Sequence, residues 1–436
     1  MKTFLIAVGV LILTLIVALL CLRRDWIEPL PGVVLTPSRP PLELQYVPED
    51  GAFDLLCRAG DALGGKKLRV EWDRALLAFA EDPQGNVAVE ATKDLEDAAE
   101  ALRLARLAST KGDAQVPTPH FDGNLSYLSK TKALVKLLSV SAARKAAQGD
   151  AAGALDDLEA GIRLGQILSR GGTTIHHLVD IACTGICCQT LGLLSLNRAL
   201  PPATLRDART RLERLEAALE PLPEILRQEH LFNLEAVDAY DKAGGKGIAY
   251  VGVPTLVHAL LWSRTETRRN FAALNAHVIA LAEKPYDPRG YDALNAAVMP
   301  HGFWDVLFRK DPEGLILASG LLTSLKQQRS THERCLANFR ATRAFLAIRE
   351  FQAAQGRAPK DPAELVPGFL ASWPLDPFDG KPLRYRLNPD GSWVVYSTGA
   401  DLSENGKDPG WGGLKGVSFP STAWEEFSKQ THAKKP

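Results

Sequence analysis

Hydrophobic residues recur at steps of three and four over most of the chain between residues 50 and 356. This spacing is typical of amphipathic helices that bury one face. In residues 92–109, for example, an apolar stripe is formed by Leu95, Ala98, Ala99, Leu102, Ala105 and Ala108. Prolines and glycines interrupt the pattern at intervals, so we predict a series of separate helices packed against one another.

The pattern predicts helices at residues 52–63, 69–80, 92–109, 127–148, 151–169, 173–197, 202–219, 223–242, 254–283 and 330–355. Two further stretches, 247–262 and 314–325, are apolar throughout most of their length. Both are too short to cross a bilayer, which takes about 20 residues. We interpret them as buried core helices. The alternative is a surface that faces a membrane.

Residues 127–148 and 151–169 are expected to pair as a helical hairpin around the turn Gly149-Asp150. Part of this hairpin resembles the turn and second helix of a tetratricopeptide repeat. The matching residues are Gly149, Ala154, Leu158 and Gly161. Lys145 stands where that repeat usually has an aromatic residue, and no second copy follows. The resemblance implies paired antiparallel helices and no solenoid, because a solenoid needs about three repeats.

The start of the chain has the pattern of a membrane anchor. Residues 4–22 carry no charge, with Lys2 before them and Arg23 and Arg24 after them. At about 1.5 Å per residue, roughly 19 helical residues span a hydrocarbon core about 30 Å thick. A cleaved signal peptide is the alternative, but it would end in small residues, and Leu20-Cys21-Leu22 offers no such site. We therefore predict an uncleaved, single-pass transmembrane helix.

The anchor leads into a segment, residues 29–48, in which prolines recur. Proline fixes φ and donates no hydrogen bond, so we expect an extended spacer between the bilayer and the first domain. The flanking charges of the anchor nearly balance, so they do not fix its orientation. A single N-terminal anchor before a long domain most often exports that domain, and we expect the bulk of the protein outside the cytoplasm.

Composition excludes some classes of protein. The 436 residues contain 51 Lys plus Arg and 51 Asp plus Glu, so no nucleic acid partner is expected. Of six cysteines, one lies in the anchor and the other five form no CxxC pair, which favours buried thiols over a disulfide framework. A Walker loop, a GxGxxG motif after a strand, a GxSxG elbow and an HExxH motif are all missing from the sequence.

The character of the sequence changes after residue 373. Turn residues are dense in 374–382, and two short alternating stretches, 383–387 and 393–397, flank the turn Asn388-Pro-Asp-Gly391. This arrangement predicts a β-hairpin. A polar loop, 399–406, follows it.

These residues resemble the C-terminal part of the major pseudopilin of type II secretion. The resemblance rests on Glu364-Leu-Val-Pro367, Asp376-Pro-Phe-Asp-Gly-Lys-Pro-Leu383 and Ser397-Thr-Gly-Ala-Asp401, in that order. Similar modules occur at the C-terminus of uncharacterised, membrane-anchored envelope proteins from planctomycete-like bacteria. This chain also resembles those proteins. The anchor lacks the glutamate that drives pseudopilin assembly, so the resemblance implies a shared architecture and no filament.

In that family the polar loop holds calcium. The resemblance therefore implies Asp401, Asn405 and Asp408 as metal ligands, with Ser403 or Glu404 as spare oxygen donors. Calcium takes several oxygen ligands of this kind. The alternative, an ordinary solvated loop, is the interpretation we favour. No other cofactor is expected.

Two further groups of residues could carry chemistry. His176, Asp180, Cys183 and Cys187 share one face of a predicted helix. They rise over about 16 Å and cannot all reach one metal ion, so we interpret them as packed core residues. Glu229, His230, Glu235 and Asp238 crowd another helix. This second group could take part in acid–base catalysis or form structural ion pairs, and we favour structural ion pairing.

The sequence thus predicts a mainly α fold with a transmembrane helix, a domain of antiparallel helical hairpins and a small α+β module. The expected divisions are an anchor (1–24), a linker (25–48), a helical domain (49–329), a pseudopilin-like module (330–419) and a tail (420–436). The preferred function is a non-enzymatic, membrane-anchored envelope protein that binds other proteins or acts as a scaffold. An envelope hydrolase or metalloenzyme and a pseudopilin-like assembly factor remain alternatives. No catalytic residue is assigned.

Overall fold

The computed structural model describes residues 27–65, 68–120, 123–197, 200–244, 262–299, 308–402 and 418–420, with a few single positions. Over these residues the protein is mainly helical with a small antiparallel sheet, which confirms that part of the predicted fold class. The predicted transmembrane helix, residues 4–22, lies outside the described residues and stays a prediction.

The chain forms two compact units, each built from two segments. Unit 1 is Met1–Ser38 with Leu226–Gln327, and unit 2 is Arg39–Ile225 with Gln328–Pro436. The helices of unit 2 are α1 (Ala52–Ala62), α2 (Trp72–Glu81), α3 (Asn86–Asp97), α4 (Ala99–Ser109), α5 (Ser126–Ala147), α6 (Ala151–Ser169), α7 (Thr174–Asn197) and α8 (Pro202–Ala217). The others are α9 (Leu222–Lys242), α10 (Arg264–Ala282), α11 (Pro288–Val298) and α12 (Pro312–Gln355). Both α9 and α12 contribute residues to each unit.

The single helix predicted for residues 92–109 is in fact two helices, α3 and α4. They meet at Ala98, whose φ of −97° and ψ of 10° depart from helical values. The amide of Ala98 still donates to Asp94 O, and the amide of Leu102 donates to Ala98 O. Because the hydrogen bonds and the apolar stripe both continue across the bend, hydrophobic periodicity could not reveal it.

The predicted helical hairpin is confirmed as α5 and α6, and α7 packs against both of them. The carboxylate of Asp150 caps α6 by accepting a hydrogen bond from Gly153 N at 2.9 Å. Two glycines of α6 face α7 at very short range. A Cβ at Gly161 would lie 2.6 Å from Cys187 Sγ, and one at Gly165 would lie 2.7 Å from Asp180 Oδ1. Only glycine allows this approach.

A buried carboxylate on α6 explains the lysine that departs from the tetratricopeptide pattern. Asp157 is fully buried and pairs with Arg106 of α4 at 2.7 Å and with Lys145 of α5 at 2.9 Å. Removal of both cations would leave a buried charge uncompensated, which is costly. Lys145 therefore joins α5 to α6 at a position where an aromatic residue would only fill space.

Helix α12 begins at Pro312, well before the predicted start at residue 330, so the apolar stretch 314–325 forms its first turns. Leu315 and Ala318 are fully buried, which confirms the core interpretation for these two residues. Residues 247–261 of the other apolar stretch lie outside the described part of the chain. Helix α11 was missed, although Asp287 caps its first turn ahead of Pro288, a recognisable start signal.

Within unit 2, α12 is joined to α8 by buried and half-buried ion pairs. Glu350 is almost fully buried and pairs with Arg206 at 2.8 Å and with Arg209. About two turns after Arg209 on α8, Glu216 pairs with Arg340 at 2.7 Å and with Arg343 at 2.8 Å, both on α12. These pairs fix the part of α12 on which the C-terminal module is built.

The predicted β-hairpin is confirmed. Strand β1 (Arg384–Leu387) pairs antiparallel with β2 (Trp393–Tyr396), and β2 pairs with a third strand, β3 (Ser418–Pro420), which the sequence pattern missed. The sheet packs on α12, where the ring of Phe345 lies 5.0 Å from Trp393 and 5.7 Å from Phe419 between centroids. Aromatic contacts of this kind bury large apolar areas and hold the module to the helix.

The Pro-rich segment is not a free spacer over the part that the structure describes. In unit 1 the residues just before it lie along α10, where Arg269 pairs with Asp25 and His277 Nε2 lies 2.9 Å from Glu28 O. Further along, Arg227 Nε donates to Val34 O at 3.0 Å. These contacts place the start of the predicted linker against unit 1, and further along the linker Leu44–Tyr46 forms a short 3₁₀ helix.

The close approach of α6 and α7 can be tested by replacing glycines one at a time. Gly165→Ala should lower the free energy of unfolding by about 1–3 kcal/mol, because the new methyl group overpacks against Asp180. Gly185→Ala, on α7, is the matched control. Nothing lies within 4 Å of the added Cβ there, so it should stabilise by about 0.5–1 kcal/mol. Urea unfolding measures both, and equal effects would contradict the proposed packing.

Candidate functional site

The two motifs that carry the pseudopilin resemblance are joined by one buried carboxylate. Asp376 is fully buried, and its Oδ1 accepts hydrogen bonds from Phe378 N at 3.1 Å and Ser397 Oγ at 2.9 Å. Its Oδ2 accepts from Thr398 N at 2.8 Å. The motif that starts at Asp376 therefore needs the motif that starts at Ser397, which gives a structural reason for their joint occurrence.

The predicted calcium site is described only at its first residue. Asp401 lies exposed in a turn, whereas Asn405 and Asp408 fall outside the described residues, as do Ser403 and Glu404. The calcium site therefore stays a prediction. Among the residues that the structure describes, no group of three or more His, Cys, Asp or Glu side chains is placed to hold a metal ion.

A chain of hydrogen bonds crosses the core of unit 2 and connects three helices. It begins at Asp180 of α7, whose Oδ2 lies 2.7 Å from Ser169 Oγ at the end of α6. Ser169 Oγ lies 3.0 Å from His177 Nδ1, and His177 Nε2 lies 2.9 Å from His332 Nδ1 on α12. All four side chains are buried. We call these residues the polar core chain.

Burial controls the charge of the polar core chain. It raises the pKa of Asp180 to about 7, even though the Ser169 hydroxyl stabilises the charged form. Within the described part of the chain, Asp180 Oδ1 has no hydrogen-bond partner. Burial also lowers the pKa of His177 to about 4. The pKa of His332 falls well below its usual value through burial and through the neighbouring His177 and Arg329. Both imidazoles are therefore neutral near pH 7.

The hydrogens of the polar core chain have two consistent arrangements. When Asp180 is ionised, Ser169 donates to it, His177 Nδ1 donates to Ser169, and His332 donates to His177. When Oδ2 is protonated, every donor in the chain can reverse. In the ionised arrangement the hydroxyl hydrogen points away from the imidazole, so His177 does not activate Ser169 as a nucleophile.

His176, next in sequence to His177, has separate partners. Its Nδ1 accepts a hydrogen bond from Thr173 N at 3.2 Å, so the ring proton of the neutral form lies on Nε2. Nε2 then donates to Tyr127 Oη at 2.7 Å. Burial lowers the pKa of His176 to about 4, which keeps this neutral form.

The four residues that share a face of α7 have different roles. His176 bonds to Tyr127 and Asp180 bonds to Ser169, while Cys183 and Cys187 are buried. Burial raises the pKa of both thiols, so neither is a thiolate near pH 7. No three of these residues are placed to hold a metal ion. The structure supports the interpretation of α7 as a packed core helix.

Sequence reasoning missed three members of the polar core chain. His177 could have been found, because residues 177 and 180 are three positions apart on α7 and therefore share a face with each other. His332 gave no such signal, since it lies 155 residues from its partner. Only the tertiary fold brings it to the site.

The second predicted group lies in unit 1, and ion pairing is confirmed for one of its members. Asp238 pairs with Arg264 at 2.8 Å and with Arg268 at 2.9 Å, and both arginines belong to α10. These contacts lower the pKa of Asp238. Burial lowers the pKa of His230 to about 4, so this histidine is neutral near pH 7.

Comparison with known proteins identifies no relative. No protein-family model matches the chain, and searches of curated proteins and of solved structures found no significant match. Among the described residues one stretch, Thr174–Leu196, could cross a membrane by length and composition. Because 67% of it is buried inside the protein, it is weak evidence for a span and fits a core helix equally well.

Asp180 should make stability depend on pH. Its folded-state pKa is raised to about 7 from an ordinary 3.8, so its favourable contribution is complete below pH 4 and is lost as pH rises to 7. Each pH unit in that window costs up to about 1.4 kcal/mol. Asp180→Asn should remove this loss, so the variant gains stability relative to wild type as the pH rises from about 4 to about 7. Thermal unfolding at several pH values measures the difference. A constant difference would contradict the burial of a charged carboxylate.

Asp376 should be essential for the C-terminal module. Asp376→Ala leaves buried donors at Ser397 and Thr398 unpaired, at about 1–3 kcal/mol for each. Asp390→Ala, in the exposed hairpin turn, loses contacts only to Ser392 and should cost much less. Limited proteolysis followed by mass spectrometry measures cleavage within the module. Equal protection in the two variants would contradict the role of Asp376.

Proposed function

We propose that this chain is a non-enzymatic scaffold, held at a membrane by its N-terminal hydrophobic segment, whose C-terminal module binds another protein. The proposal rests on the anchor pattern of residues 4–22, on the balanced charge of the chain and on the form of the module. The buried position of Ser169, His177 and His332 supports a non-enzymatic role, because side chains in a packed core do not meet a substrate.

The edge of the β-sheet is the observation that carries the proposal. The strand order is β1-β2-β3, so β1 is an edge strand, and within the described residues it pairs with β2 alone. Its last two residues, Arg386 and Leu387, are exposed. An edge strand presents backbone donors and acceptors that an extended peptide can pair with.

Exposed leucines give this region an apolar character. Leu375, Leu387 and Leu402 are 50%, 38% and 39% exposed, and all three belong to the module. A large apolar side chain that is exposed in the free protein contributes to binding when a partner covers it. A partner that adds a strand beside β1 would cover Leu387.

The attachment of the module to α12 suits a scaffold. The aromatic contacts of Phe345 and the hydrogen bond from Arg340 to Leu375 O at 3.0 Å hold the sheet in a fixed position. A partner then meets a preformed surface, so little ordering entropy opposes binding. Calcium bound in the loop that begins at Asp401 would add to this rigidity and remains part of the proposal.

Crosslinking in native membranes tests the edge strand. Leu387→Glu should weaken capture of the partner about tenfold or more, because losing a buried leucine contact costs about 1.5–3 kcal/mol. Leu107→Glu is the matched control, since Leu107 is 39% exposed but lies on α4. The crosslinked species should disappear in the first variant only.

Two results would overturn the proposal. One is equal loss of the crosslinked species in both variants, which would remove the special role of β1. The other is an enzymatic activity: if the purified chain turns over a substrate and Ser169→Ala abolishes this turnover, the hydrolase alternative is favoured.

A further inference from the structure

The contacts around Asp25 give the membrane-proximal part of unit 1 a definite position. The Asp25 carboxylate pairs with Arg269 of α10 and lies 3.3 Å from Lys310 Nζ. Its backbone oxygen accepts a hydrogen bond from Arg309 Nη1 at 3.2 Å. Three cationic side chains therefore hold the residue that comes directly after Arg24, the last residue assigned to the anchor.

The docked segment runs parallel to α10. Arg269 and His277 are eight positions apart on the helix, a rise of about 12 Å. Their partners, Asp25 and Glu28, are three positions apart, and an extended chain covers about 10 Å in that interval. Because the two lengths agree, the segment lies along α10 in the same direction, with Asp25 near the start of the helix.

We propose that the surface around Asp25 lies against the phospholipid headgroups. This inference rests on the proposed anchor and goes beyond it. We define the Asp25 face as Asp25, Glu266, Arg269, Asp305, Arg309 and Lys310. Between Leu22, the last apolar residue of the anchor, and Asp25 the chain can extend by only about 10 Å.

The contacts of Asp25 and the residues after it limit the distance between unit 1 and the bilayer. A free proline-rich spacer over residues 29–48 would allow about 60 Å between bilayer and domain, at about 3.1 Å per residue. Since the segment is docked from Asp25 onward, this length is not available to separate unit 1 from the bilayer. The start of α10 therefore lies at the headgroups and the end of α10 lies away from them.

The Asp25 face carries no net charge. Arg269 pairs with Glu266 at 2.8 Å as well as with Asp25, and Arg309 lies 3.4 Å from Asp305. With Lys310, three cations meet three carboxylates. The Asp25 face itself therefore adds no attraction to anionic lipid, and the anchor should hold it equally well at zwitterionic headgroups.

The experiment uses the full chain in phospholipid vesicles, with a fluorophore on one introduced cysteine. Thr265 is exposed in the first turn of α10, and Lys284 follows the end of the helix about 28 Å further on. Burial raises the pKa of the native thiols that the structure describes, that of Cys57 to about 11, so labelling near pH 7 favours the new cysteine. All variants carry Cys21→Ser.

Vesicles whose headgroups bear a nitroxide should quench the label of Thr265→Cys and leave that of Lys284→Cys unchanged. The quenching at position 265 should be the same in zwitterionic and anionic vesicles. Asp25→Asn should reduce it, because the carboxylate contacts of Arg269 and Lys310 are lost. Glu28→Gln is the matched control and should leave it unchanged, since only the backbone oxygen of Glu28 is contacted.

Flotation of the vesicles separates the two ways to fail. If the chain does not float with the lipid, the anchor is wrong and the membrane part of the proposed function is overturned with it. If the chain floats but both labels respond equally, the anchor stands and the position of the Asp25 face is overturned. If the label at position 265 is quenched in anionic vesicles but not in zwitterionic ones, the claim that the Asp25 face needs no anionic lipid is overturned.

Discussion

The short distance between α6 and α7 is the contact on which the core of unit 2 depends. Gly161 and Gly165 have no Cβ, so the backbone of α6 can approach Cys187 and Asp180 within a distance that any side chain would prevent. This approach brings the end of α6 to the first turns of α7 and places Ser169 Oγ 2.7 Å from Asp180. His177 and His332 extend the same network to α12, which in turn supports the C-terminal sheet.

Three buried aspartates of unit 2 show how surroundings determine the role of a carboxylate. Asp157 meets two cations, and Asp376 accepts hydrogen bonds from backbone and hydroxyl donors on both oxygens. Asp180 has a single hydroxyl donor, and its second oxygen has none. Burial therefore raises the pKa of Asp180 to about 7, whereas the other two carboxylates serve as structural centres.

The sequence predicted the parts of the fold that depend on local patterns. Helical periodicity located α5 to α9, and the Pro-Asp-Gly turn located the β1–β2 hairpin within a residue or two. The sequence pattern did not predict the bend at Ala98, because helical hydrogen bonding and the apolar stripe continue across it. The early start of α12 escaped because a short apolar stretch does not show whether it belongs to the next helix.

The candidate sites were harder to predict, because their partners lie far apart in the chain. His332 reaches His177 only through the packing of α12 on α7. In the same way, no pattern in residues 25–34 indicated that Arg227, His277 and Arg309 contact them. These three contacts are made to backbone oxygen, which every residue carries. The sequence showed that the motif beginning at Asp376 resembles the pseudopilin pattern. Only the structure shows why it occurs with the second motif, because Asp376 accepts hydrogen bonds from Ser397 and Thr398.

The burial of the cysteines has a consequence for the compartment in which the protein can work. The five cysteines that the structure describes are free thiols, four of them buried, and burial keeps them protonated. Oxidants react with the thiolate form at accessible sites. These side chains therefore resist oxidation without forming disulfides, and the chain can keep the same core on either side of a membrane, in reducing or oxidising surroundings.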